Sequence, residues 1–259
     1  MKNASNPNMR IFLILSLFIP FFPAEGQSSP EIKITLGDAI SLALLNNSEL
    51  NNDEAKKALV GNVEKTYFQL VYEKNKTSII RQEAGLMQNM ASVADMRYEA
   101  GDIDLLEKNS MISRFAEVNT SLSRMEDDLS ISRNNLKILL LVKDELMPVD
   151  SVLVMYALKK NEPSVSGLDS TMQFIHERKK ENLEYELNNY FKKLQYFNQV
   201  GLGQADQLLE INRAKFENED IDYTEYTQKA DEAFQIRLDY LETLNNYNQT
   251  AIQLEFYAY

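Results

Sequence analysis

The chain has 259 residues, 44% hydrophobic and 25% charged, which suits one or two folded domains with a modest core. A net charge of −12 and a sequence pI of about 4.7 repel phosphate backbones, so nucleic acid is not an expected partner. With no cysteine, the chain has no disulfide, thiolate metal site, cysteine nucleophile or lipid-bearing cysteine.

At the N-terminus, Lys2 and Arg10 precede the apolar run IFLILSLFIPFF at residues 11–22. Ala24 and Gly26 then stand at the −3 and −1 positions of a cleavage site, so residues 1–26 read as a secretory signal peptide, with Gln27 as the mature N-terminus. The run falls short of the ~20 apolar residues of a spanning helix, which weighs against the competing reading, a membrane anchor. The expected location is therefore the cell envelope. The next segment, residues 27–60, contains ITLGDAISLALLNNSEL. There Thr35 is a candidate N-cap, Asp38 completes a loose capping box, and Leu36, Ala39, Ile40, Ala43 and Leu44 follow a helical period.

A long helix is expected over residues 54–98, with Val63, Tyr67, Leu70, Leu86, Met90 and Val93 as its apolar positions. Gly101-Asp102 breaks it, and a second helix follows over residues 104–141. Its seam runs through Val118, Leu122, Met125, Leu129 and Leu136, with the three leucines a heptad apart as in coiled coils. Helices of ~37 residues are about 55 Å long, and a tight turn makes them an antiparallel hairpin. This first hairpin repeat is placed at residues 61–145 and a linker at residues 146–170, whose SVLVMY is read as a short strand or an extended segment. The second hairpin repeat is placed at residues 171–259. Its first helix starts near Met172, is interrupted at Gly201-Leu202-Gly203, and reaches Asn218. A final helix follows over residues 223–257, with Tyr240, Leu244, Tyr247, Ala251 and Leu254 along one seam and no Gly or Pro after Gly203.

The two halves share a register. A shift of 118 residues carries Arg97, Tyr98 and Glu99 onto Lys215, Phe216 and Glu217, and one Asp-Ile-Asp at residues 102–104 onto another at residues 220–222. It also carries Tyr67 onto Tyr185, Leu122 onto Tyr240, Leu129 onto Tyr247 and Leu136 onto Leu254. The expected fold is therefore all-α, two copies of a long antiparallel helical hairpin in a coiled-coil arrangement, with little or no β structure.

These stretches resemble the TolC-type outer-membrane efflux proteins. ITLGDAISLALLNNSEL is similar to that family's opening helix, and YFQL, RYEAGDID and SRNNLKILL to landmarks of its first half. Residues 196–256 look most like the outer-membrane components of heavy-metal cation efflux systems. The resemblance implies a homotrimeric periplasmic conduit working with a periplasmic adaptor and an inner-membrane pump, and no cofactor. It also implies barrel strands after Leu50 and after Leu158. The polar residues 51–62 and 159–172 do not accommodate pairs of spanning strands, each of ~9–11 residues, so outer-membrane association is in doubt on this point.

By the same resemblance, the hairpin tips dock the adaptor, through Ala100, Gly101, Asp102 and Ile103 in one copy and Asp220 and Ile221 in the other. Asp102 stands where an apolar residue is usual, and Glu219 replaces the glycine of the second tip. As residues alone, Gly101 is a turn glycine. Asp102, Asp104, Asp220 and Asp222 are candidates for an acidic ring at a tunnel mouth, twelve carboxylates in a trimer, against the simpler reading of turn formers and helix caps. Met87, Met90 and Met96 are weighed as soft-metal ligands and read as core filler. His176 is the sole histidine, which argues against a zinc site, and no metal site is expected. No phosphate loop or catalytic triad stands out, so catalysis is not expected. The leading function is a TolC-like efflux component, with metal cations as the implied cargo. The alternatives are a soluble periplasmic coiled-coil interaction protein without a pore, or a nonfunctional remnant of such a gene.

Overall fold

A computed structural model describes residues 31–158 and 170–258. The signal peptide expected over residues 1–26 lies outside them, as do residues 159–169 of the expected linker and second barrel interval. Helix accounts for 82% of the structure, and the all-α hairpin fold expected from the sequence is borne out.

The chain opens with β1 (Ile32–Ile34) and α1 (Leu36–Asn46), followed by the hairpin of α2 (Asp53–Ala100) and α3 (Leu105–Leu140). The capping box at the start of α1 forms as expected: Asp38 N donates to Thr35 Oγ1 at 3.1 Å, and the Asp38 carboxylate receives the Thr35 hydroxyl at 2.6 Å. Asn52 caps α2 through a 2.8 Å bond from Glu54 N, and Asp53 and Glu54 complement the helix dipole. After α3 comes β2 (Leu146–Pro148), which pairs in parallel with β1, Ile32 opposite Leu146 and Ile34 opposite Pro148. Periodicity does not reveal this two-stranded sheet, because three-residue strands are too short to show a period of two.

SVLVMY forms no strand; it is an extended segment lying on the final helix. The second hairpin consists of α4 (Ser170–Tyr196), a π turn (Phe197–Gly201) and α5 (Leu202–Glu217), followed by α6 (Tyr223–Ala258). The interruption expected at residues 201–203 is corrected here. Gly201 has φ −61 and ψ −46, so the chain stays helical through it. A glycine within a helix costs about 1 kcal/mol but ends the helix only if it adopts another conformation. What it provides is room, since a Cβ at Gly201 would lie 2.9 Å from Phe197 Cδ1.

Duplication is visible in where the helices begin: a shift of 118 carries Leu105, the first residue of α3, onto Tyr223, the first of α6. The π turn alters the buried face between the copies, as the extra residue in a π turn rotates what precedes it. Beyond it, Ala205 and Asn212 are buried like their repeat mates Met87 and Ala94. Before it, Tyr185 is exposed although its mate Tyr67 is buried.

The helices form a row. α2 packs against α3 on one side and α6 on the other, and α6 in turn carries α4 and α5. Three clusters fill it from end to end: a large one around Tyr67, Leu136 and Leu244, a middle one around Met87, Met125 and Phe234, and a small one at the hairpin tips. No helix among the described residues is long and apolar enough to cross a membrane.

Candidate functional site

Both hairpins turn at the same end of the row, and their tips touch. The first turn is a Schellman closure of α2: Gly101, at φ 83, donates its N–H to Tyr98 O at 3.0 Å, and Asp102 N donates to Arg97 O at 2.9 Å. The second tip reproduces it bond for bond. Glu219 N donates to Phe216 O at 3.1 Å and Asp220 N to Lys215 O at 2.8 Å, with Glu219 at φ 63. Replacing the glycine therefore left the turn's shape intact, although a residue with a Cβ meets steric cost in this region. Glu219→Gly should accordingly raise stability by about 1 kcal/mol, and Gly101→Ala should lower it by a similar amount. Opposite shifts in the urea midpoints of the two variants check this; shifts of the same sign would refute it.

The aspartates divide into two roles. Asp104 caps α3 by accepting Glu107 N at 2.9 Å, and Asp222 caps α6 by accepting Glu225 N at 2.8 Å. Asp102 and Asp220 occupy the turns, exposed. Asp102, Asp220 and Asp222 line one groove between the tips, a cavity of 290 Å³ shared with Arg97, Glu107 and Glu219; Asp104 is not on its wall.

Ala100 and Gly101 are exposed, whereas Ile103 and Ile221 are half-buried and pack on the tip core of Met90, Ala94, Met111, Tyr223 and Tyr226. Phe216 stacks on Tyr226 with ring centroids 4.9 Å apart and meets Tyr223 edge-on at 4.7 Å. The Arg97 guanidinium lies 5.5 Å over the Tyr223 ring, while burial pushes the Tyr223 and Tyr226 hydroxyls above their ordinary pKa. The sequence reading overlooked Arg97, Glu107, Phe216 and Tyr223 as groove residues. A signal was present, since Arg97 and Lys215 are repeat mates, as are Tyr98 and Phe216.

The remaining candidates do not converge. Met87 and Met90 are buried, whereas Met96 is exposed. His176 Nε2 bonds to the Tyr257 carbonyl oxygen, and the ring packs edge-on against Tyr257, tying α4 to the end of α6. Among the described residues, no three His, Cys, Asp or Glu side chains are grouped to hold a metal ion.

Neither a protein-family model nor a curated protein sequence matches the chain. Solved structures do. A membrane protein from Pseudomonas aeruginosa superposes with a TM-score of 0.65 at 12% identity, over 85% of this chain and 72% of that one. CusC, whose structures describe transmembrane channel formation, gives 0.56 at 13% identity, over 84% and 73%. The Campylobacter jejuni CmeC outer membrane channel gives 0.59 at 10% identity, over 86% and 66%. The fold is shared with outer-membrane channel proteins. At these identities the likeness is one of fold, and the chain spans two thirds to three quarters of each neighbour.

Proposed function

We propose that the chain is the outer-membrane component of a tripartite export system in the envelope of a Gram-negative bacterium, a conduit rather than a catalyst. The observation that carries this reading is the duplicated pair of hairpins, whose tips meet in one groove, in a fold shared with CusC and CmeC. The tips would receive a periplasmic adaptor tied to an inner-membrane pump, and the acidic groove suits metal cations as cargo.

The row of helices supports a homotrimer. Its outer helices carry exposed apolar side chains, Ile112, Ile131 and Ile138 on α3 and Phe191, Tyr196, Val200 and Ile211 on α4, the π turn and α5. Edges that differ in this way can meet in a head-to-tail contact, which closes into a ring where the rotation between copies permits.

One observation favours the second reading, a soluble periplasmic interaction protein without a pore. The connection from α1 to α2 is residues 47–52. Six residues fully extended reach only ~20 Å, less than one spanning strand of ~9–11 residues requires. Fractionating cells and then measuring the mass of the mature protein decides between the two. A trimer in the outer-membrane fraction supports the conduit; a monomer released with the periplasmic contents overturns it.

A further inference from the structure

The seam where α2 meets α6 joins the two hairpins, and it carries a short chain of polar side chains. Gln69 sits at its middle. Its Nε2 donates to Glu73 Oε1 at 2.8 Å, and its Oε1 accepts from Asn245 Nδ2 at 2.9 Å. Each end of the chain leaves one oxygen over. Glu73 Oε2 and Asn245 Oδ1 are buried and neither receives a hydrogen bond, in side chains that are only 7% and 6% exposed. A buried acceptor without a donor costs the desolvation of that group, and an ionised carboxylate costs more.

A proton on Glu73 removes the larger of the two costs, that of a buried carboxylate. A carboxylate only accepts, whereas a carboxylic acid has one O–H to donate. Turning the amides over would only strengthen the case for the acid. If Asn245 and Gln69 were both turned over, Gln69 Oε1 would face Glu73 Oε1, and Glu73 would then have to supply the hydrogen. We propose that Glu73 is a proton-binding site in the seam between the hairpins, its carboxyl carried as the acid at the end of the Asn245–Gln69–Glu73 chain.

The charged groups around it come from all three helices. On α2, Lys76 favours the anion, and its ammonium lies 5.5 Å over the neighbouring Tyr72 ring. From α3, Asp128 opposes the anion, and from α6, Glu242 adds a further negative charge beside Tyr72. Burial is the largest influence and raises the Glu73 pKa above its ordinary value, against Lys76 and the Gln69 bond. Among the described residues, no three such side chains are grouped here to hold a metal ion.

The direction of the effect follows from linkage. A carboxyl whose folded pKa lies above its unfolded value contributes stability that is complete below the unfolded value and is lost as pH rises through the folded one. The seam is thus tightest in acid and loosens once Glu73 ionises, which couples the packing of the two hairpins to proton uptake.

Glu73→Gln tests this, because its amide N–H can stand in for the acid proton without charge. In the mature full-length protein, the variant should melt about 2–4 °C above wild type near pH 8, with the gap closing towards about pH 4. On the wild-type protein, a carbon-detected NMR titration should place the Glu73 carboxyl midpoint above the ordinary glutamate range. Parallel melting curves for wild type and Glu73→Gln across the range would overturn the proposal, as would a Glu73 midpoint at the ordinary value.

Discussion

Asn248→Ala should lower stability by about 2–5 kcal/mol, more than most single changes in this fold. The side chain is fully buried on α6 and reaches across to the extended segment that follows β2. Its Oδ1 accepts Tyr156 N at 2.7 Å, and its Nδ2 donates to Val154 O at 2.8 Å. Truncation strands a buried N–H and a part-buried carbonyl at once, and a buried group left without a partner is worth ~1–3 kcal/mol. The Tyr156 ring sits edge-on to Phe68 with centroids 5.5 Å apart, so loss of the clamp also loosens a core contact. Urea unfolding measures the total, and hydrogen exchange at the Tyr156 amide reports the local part. An unchanged midpoint together with unchanged protection at Tyr156 would show that the segment is held by other contacts.

At the opposite end of the row, Gly101→Pro combined with Ile103→Asp should abolish co-purification of an adaptor while leaving helix content nearly intact. Proline cannot reach the φ of 83 found at Gly101, and it removes the N–H that closes the turn on Tyr98 O. The new carboxylate replaces an apolar side chain that packs on the tip core and adds like charge beside Asp102 and Asp104. The larger core clusters lie farther along the helices and do not include these residues. Ile221→Asp should weaken capture less, because the second tip already departs from the contact pattern at Glu219. Capture of the adaptor at wild-type yield by the double variant would reduce the tip to a turn.

Much of this architecture can be read from periodicity. Val63, Tyr67, Leu70, Val118, Met125, Leu136, Leu244, Tyr247 and Ala251 were expected on helix seams, and all are buried. Gly101 marked one turn by its chemistry, and the repeated Asp-Ile-Asp located the other even without a glycine. What escaped has identifiable physical causes. Asn248 and Glu73 lie among the buried positions, yet a polar residue in a helical pattern reads as solvent-facing unless its partner is known. Here those partners are distant in sequence, Asn248 to Tyr156 and Glu73, through Gln69, to Asn245. Gly201-Leu202-Gly203 reads as a break because glycine signals flexibility in a sequence, whereas here Gly201 makes room for Phe197. The tip groove needed residues from both halves, so neither hairpin alone could reveal it.

The two tips close with the same turn, Gly101 at φ 83 in one and Glu219 at φ 63 in the other, each followed by the same pair of backbone bonds. Each chain therefore offers two prongs of one shape, distinguished chemically by glycine on one and glutamate on the other. Around any rotation axis, n copies would show 2n prongs of alternating identity, a mouth with twice the apparent symmetry of its subunits. A partner that grips backbone shape would saturate at two per chain, and one that senses the glutamate at one per chain. Counting bound partners would therefore reveal which of the two is being recognised.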